Sequence, residues 1–218
     1  MKKKNQVKTK TKISTLLALF AIISTVTILI SNICSIKLFS IFNIVLPTSA
    51  LLFPISYILG DVLTEVYGYK QSRKIILIGF IANLFMVLFF QLSIILPSGP
   101  NWNLQQEYST ILGTTPRMFI ASLSAYLIGS LSNAYSMELI KKLTKSKYLW
   151  VRTIGSTIVG ELLDTLIFVF IAFYGTIDSS VLLTTIISQF VWKVSYEVLA
   201  TPLTYLVVNK VKKYEQES

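Results

Sequence analysis

The sequence predicts an all-α membrane protein of six transmembrane helices with both chain ends in the cytoplasm. Three observations predict it. Of 218 residues, 53% are hydrophobic and only 14% charged, with a mean hydropathy of +0.66, whereas a soluble domain carries about 25% charge. The apolar residues fall into runs of twenty or so, the length that crosses about 30 Å of hydrocarbon. Seventeen of the 20 Lys and Arg residues lie in four segments, 1–12, 70–74, 141–152 and 210–213. Six spans put all four segments on one side, which the positive-inside rule makes cytoplasmic.

The elements follow in order. Residues 1–12 hold six lysines and no acid, a basic cytosolic tail ahead of a membrane domain over 13–208. Span one covers 13–36 and gives way to Lys37 and a turn. Span two covers 41–59 and continues as a polar-ended helix through Asp61 and Glu65 to Gly68, a residue suited to a helix C-terminus. Span three covers 75–96 and is closed by Pro97-Ser98-Gly99-Pro100, a breaker cluster. Residues 101–115 form the longest loop, with a short interfacial helix expected around Trp102. Span four starts after Pro116 and reaches about Ile140. Its Ala121, Ala125 and Gly129, at four-residue spacing, let another helix approach closely, either within the monomer or from a partner protein. Spans five and six cover 151–174 and 180–208, and 209–218 form a second cytosolic tail.

Composition narrows the function classes. The chain has no histidine and one cysteine, Cys34. The commonest general base and zinc ligand is therefore missing, and no intrachain disulfide can form. No catalytic residue, metal or cofactor is expected. The cations sit in short clusters between apolar runs, a pattern that fits lipid-facing topology rather than nucleic acid. No G-x-x-x-x-G-K-[ST] segment occurs, so the chain hydrolyses no nucleotide through a P-loop. The first apolar run has no cleavage signal and reads as a retained helix.

Ionisable side chains inside membrane helices face cavities or partners, and here they cluster. Glu161 and Asp164, three apart, share a face of span five, about 13 to 18 Å in from Arg152 at 1.5 Å per residue. Lys193 and Glu197, four apart, share a face of span six, with Lys193 about 20 Å from its outer end. Two helices thus bring charge to a similar depth. Asn32, Asn83, Gln91, Ser122, Tyr126, Asn133, Ser156, Thr157 and Thr165 add polar groups on other spans. Lys193 with Glu161 or Asp164 reads either as an ion pair fixing helix register or as part of a solute site. Asp61 and Glu65 read either as an exposed helix end balanced by Arg73 and Lys74 or as functional groups. Three carboxylates against one lysine favour a site that takes up protons or a polar or cationic solute. A guanine-type base suits such a site. A carboxylate accepts two parallel hydrogen bonds from its N–H edge, Lys, Asn or Ser donates to its carbonyl, and Tyr126 or Phe168 stacks on its ring.

The stretch Phe53-Pro54-Ile55-Ser56-Tyr57-Ile58-Leu59-Gly60-Asp61-Val62-Leu63-Thr64-Glu65-Val66-Tyr67-Gly68, followed by Arg73, resembles the signature of the queuosine precursor transporter family, within the vitamin uptake transporter group. Four further stretches agree: Ser31-Asn32 leading to Lys37; Arg117 with Ala121-Ser122-Leu123-Ser124-Ala125-Tyr126 and Gly129; Ser156-Thr157 with Gly160, Asp164-Thr165-Leu166-Ile167-Phe168 and Ile171-Ala172-Phe173; and Lys193-Val194 with Glu197 and Pro202. The likeness covers about 32–206. It implies a six-helix importer of 7-deazaguanine bases (preQ0, preQ1 or queuine), with a fold similar to the substrate-binding components of energy-coupling-factor vitamin importers. It carries over Asn32, Ser122, Tyr126, Ser156, Glu161, Asp164, Lys193 and Glu197 as substrate-binding residues. Asp61, Glu65, Arg73 and Arg152 then form a cytosolic gate network. Asn133 stands where relatives often have Asp, and Glu161 where they often have an amide.

The expectation is therefore a multi-pass inner-membrane uptake transporter for a queuosine precursor, not an enzyme. Its partners are the deazapurine solute and the bilayer, with a second copy or a coupling protein as further partners. The rival reading is the substrate-binding component of an ATP-driven vitamin-type importer with separate energising subunits. An intramembrane aspartyl protease built on Gly60-Asp61 fits less well, because Asp61 lies beside Glu65 at a helix end rather than opposite a second midplane aspartate.

Overall fold

Helix α1 (Thr15–Cys34) begins where the Ser14 hydroxyl accepts a hydrogen bond from the Leu17 amide at 3.0 Å, satisfying one of the free donors of a helix start. The computed structural model describes residues 14–41, 44–113, 116–176 and 178–217; the basic tail 1–12 lies outside them. After α1 the chain departs from expectation. In place of one continuous helix over 41–59 there is a hairpin of β1 (Leu38–Ile41) and β2 (Ile44–Pro47), antiparallel with Leu38 opposite Pro47 and Phe39 opposite Leu46. A 3-10 turn (Thr48–Leu52) leads to α2 (Phe53–Tyr67). The prolines explain the break. Pro47 would remove a hydrogen bond from a helix interior, whereas Pro54 falls in the first turn of α2, where no partner is lost.

Gly68, at φ 78°, ends α2 and starts α3 (Tyr69–Ile95). That positive φ suits glycine, which lacks a Cβ. The loop helix α4 (Gln105–Leu112) forms just beyond Trp102, whose ring meets Tyr108 edge-on at 6.3 Å. Helix α5 (Pro116–Leu143) starts on its proline. It runs beside α6 (Leu149–Phe173). Arg117 donates to the carbonyls of Ile171, at 2.5 Å, and Tyr174, covering acceptors that the end of α6 leaves free.

The last helix, α7 (Ser179–Glu217), runs through the expected tail without a stop. Its final turns are held in place, because Glu215 Oε1 accepts from Ser14 Oγ at 2.6 Å and Tyr67 Oη at 2.7 Å. Those bonds tie the end of α7 to the start of α1 and the end of α2.

Among the described residues, α1, α3, α6 and the segment Gln105–Leu143 containing α5 are long and apolar enough to cross a membrane. Helix α2 has 15 residues, about 22 Å at 1.5 Å per residue, and α7 is diluted by polar side chains. Among the described residues the protein is thus helical apart from one short hairpin. Its outer surface is apolar, with Ile81, Phe85 and Leu199 each more than three-fifths exposed, as on a lipid-facing bundle.

The small-residue stripe packs inside the monomer. Ala121, Ala125 and Gly129 are buried, and a Cβ at Gly129 would come within 3.1 Å of the Gly160 carbonyl oxygen. A Cβ at Gly160 would in turn come within 2.6 Å of the Asn133 Cβ. The α5–α6 contact therefore depends on two hydrogen atoms where side chains would otherwise stand.

Candidate functional site

Six helices leave a cavity of about 790 Å³ between them, within the range of small-molecule sites. Each contributes polar groups: Asn32 from α1, Tyr57 from α2, Ser72 from α3, Ser122 and Tyr126 from α5, Glu161 and Asp164 from α6, and Lys193 from α7. Gly129 and Asp164, which meet at the close α5–α6 approach, both line it.

Its charged centre is a triad. Lys193 Nζ lies 2.5 Å from Asp164 Oδ2 and 2.9 Å from Glu161 Oε2. Lys193 also donates a hydrogen bond to Asp164 Oδ2. The contact with Glu161 is an ion pair. The Tyr57 hydroxyl bonds to Glu161. At formal charge, two carboxylates and one ammonium leave a single negative charge facing the cavity.

Around the triad stand groups that suit a flat polar ring. Asn32 donates to Asn83 at 2.8 Å, which orients both amides. Tyr126 and Phe168 supply aromatic faces, and the Trp192 indole N–H, also on the wall, has no acceptor among the described residues. Two apolar clusters are buried in the bundle, Val62, Met137, Leu149, Val208 and Val211 in one and Val169, Leu182 and Ile186 in the other.

A second charged cluster sits at the Gly68 end of α2. Glu65, with its side chain 1% exposed, accepts from Arg152 Nε and Nη2 at 3.0 Å each and from Lys212 Nζ at 2.5 Å. Lys141 approaches it at 3.5 Å and donates to the Glu65 backbone carbonyl at 2.7 Å. Glu65 lies beyond the apolar part of its helix. Burial pushes its carboxyl up, but Lys212, Lys141 and Arg152 outweigh that and hold it below the usual carboxylate value.

Most of the expected site residues come together, with four departures. Ser156 is fully buried with its hydroxyl on the Thr153 carbonyl, and it is not on the cavity wall. Glu197 is likewise off the wall, facing Asp61 within hydrogen-bonding range. Asp61 therefore does not join Arg152. Arg73 is exposed and makes no ion pair among the described residues.

Comparison with known proteins fits this geometry. A family model described as "Putative vitamin uptake transporter" matches residues 47–207. The chain belongs to that family. It is a multi-pass membrane transporter and not an enzyme. A relative in Bacillus subtilis (strain 168), named "Probable queuosine precursor transporter", is 27% identical over 189 residues, covering 86% of this chain and 82% of its own length. No solved structure matches the chain.

For this transporter, several functional candidates escaped sequence reasoning. Tyr57 and Trp192 read as ordinary aromatics of apolar helices, and only the fold turns them toward Glu161 and the cavity. Lys212 lay in an expected tail, 147 residues from Glu65. It could count as a site residue only once α7 is known to continue past Val208.

Proposed function

We propose that this transporter imports a queuosine precursor, a 7-deazaguanine base, through the cavity around Lys193. Glu161 and Asp164 bind the guanine-like N–H edge or an amine on the base, and Lys193 with Asn32 serves the carbonyl. Tyr126 and Phe168 stack on the ring, and Ser122 supplies a further hydrogen bond. The observation that carries this reading is the Lys193–Asp164–Glu161 triad on the cavity wall. Its acceptors and donor match the two hydrogen-bonding edges of a guanine-type ring, and the single excess negative charge suits an amine substituent. The name of the Bacillus relative supports the same substrate class.

On this reading all six long helices span the inner membrane, with α2 completed by the hairpin and 3-10 turn before it. Both termini face the cytoplasm, because six spans would put the cation-rich segments on one side. The Glu65 cluster is then a cytosolic gate. It joins α2, α5, α6 and α7 when closed and breaks for inward release.

The test is uptake of radiolabelled preQ0, preQ1 and queuine in a cell lacking both its own importer and de novo synthesis. Expression of this chain is expected to restore uptake of at least one of the three. Uptake at the background of empty cells for all three, with the protein present in the membrane, would refute the assignment.

A further inference from the structure

The seam between α2 and α7 holds two carboxyls with no cation between them. Asp61 and Glu197 are 2% and 0% exposed and face each other within hydrogen-bonding range. Neither oxygen of Glu197 nor Oδ2 of Asp61 has a hydrogen-bond donor among the described residues.

The surrounding charges leave nothing to neutralise them. On α2, Glu65 acts on Asp61, while Arg152, Lys141 and Lys212 are engaged on Glu65 itself. On α6, Glu161 acts on Glu197, and Lys193, one turn before Glu197, is held by Glu161 and Asp164. Tyr57, one turn before Asp61, bonds to Glu161. Helix α1 has no charged side chain, and Lys70, Arg73 and Lys74 of α3 are exposed. On α5, Lys142 pairs with Glu138 and Arg117 covers the end of α6. The two outside charges that act on the pair among the described residues, Glu65 and Glu161, are both negative.

Two carboxylates in contact, out of water and without a cation, cannot both ionise. A proton between them converts repulsion into an O–H···O⁻ bond of the strong, charge-assisted kind. We propose that Asp61 and Glu197 form a proton-binding site whose occupancy controls the α2–α7 seam.

The placement suits that role. Glu197 is one turn from Lys193 in the cavity, and Asp61 is one turn from Glu65 in the gate cluster. The same two helices are joined again by Glu65 and Lys212. Loss of the proton puts two like charges in the seam and drives α2 from α7. Its return lets the seam close. Pro202, inside α7 just past Glu197, withholds the amide hydrogen due to the Val198 carbonyl and gives α7 a place to bend. None of this depends on which solute occupies the cavity.

Infrared spectroscopy of the full-length protein in lipid, titrated with and without sodium, tests the site. The expected spectrum at neutral pH has a protonated-carboxyl C=O band that is insensitive to sodium and lost in Glu197→Gln and Asp61→Asn. Absence of that band in the wild type overturns the proposal, and this reading requires no variant to fold. A band that survives both substitutions, or is displaced by sodium, overturns it too. Control of the seam is read by spin labels at the exposed positions Ile55 and Leu206 in a Cys34→Ser background. Their separation is expected to lengthen as the pH rises through the titration of the band, and to stay constant in Asp61→Asn. A constant separation in otherwise unaltered protein would contradict seam control.

Discussion

Arg152 on α6 grips Glu65 on α2 with two parallel hydrogen bonds, Nε to Oε2 and Nη2 to Oε1, each 3.0 Å long. Both side chains are almost wholly buried, so removing Glu65 leaves Arg152 without a carboxylate away from water, whereas removing Arg152 leaves Glu65 with Lys212 and Lys141. Leaving a buried charge unpaired costs about 3–5 kcal/mol, which is an upper bound for Arg152→Ala. Arg152→Ala is expected to lower the melting temperature of the purified protein sharply and to abolish uptake. Arg152→Lys, which keeps the charge but loses the fork, should fall between. Arg73→Ala, on an exposed side chain with no ion pair, should stay near wild type in both assays. Equal losses in the Arg73 and Arg152 variants would count against this layout of the gate.

The same cluster gives a pH dependence with a definite sign. The Glu65 carboxyl sits below its usual value in the folded protein. Its contribution is therefore present above the unfolded pKa of about 4.3 and is lost as pH falls through the lower folded value. Thermal melting of wild type and Glu65→Gln compared across pH checks this. The gap between them should be full near neutrality and narrow below about pH 4. A gap unchanged to strongly acid pH would show that Glu65 is not the group involved.

Gly129 makes a packing prediction that reaches the site. A Cβ there would stand 2.7 Å from the Asp164 Cβ and 3.1 Å from the Gly160 carbonyl oxygen, and backbone is a poor partner for relaxation. Gly129→Ala is expected to cost about 1–3 kcal/mol of stability, the usual range for overpacking. It should also displace Asp164, so that solute affinity falls with stability. Melting and binding measured on the same preparation decide whether the two losses travel together.

Much of this architecture is legible in the sequence, and the parts that are not have physical reasons. Spans one, three, four and five appear as apolar runs because lipid imposes length and hydropathy on them. Pro47 and Pro54 marked the broken start of α2, but apolar residues on both sides hid the hairpin. Helix α7 outran its expected end because no Gly or Pro follows Val208, and a basic stretch reads equally as tail or as helix. Within the site, the facing of Glu161 and Asp164 followed from three-residue spacing, and their meeting with Lys193 from matched depth. The contact between Asp61 and Glu197 did not follow. It depends on the relative rotation of α2 and α7, which periodicity within either helix leaves undetermined.

The role of Asp164 is the point on which the account turns. Asp164→Asn keeps the shape but replaces one acceptor oxygen with a donor, so a guanine-type N–H edge meets an N–H group. The lost charge-assisted bond is worth roughly 1.5–3 kcal/mol, about a ten- to hundredfold fall in affinity. Were Asp164 only the partner of Lys193, the variant would fold poorly and recover when Lys193 was neutralised as well. The deciding measurement is equilibrium binding of preQ1 to purified wild-type and well-folded Asp164→Asn protein. Saturable binding to the wild type and about a ten- to hundredfold weaker affinity in the variant are expected. No saturable binding to folded wild type, or undiminished affinity in the variant, would contradict this role of Asp164.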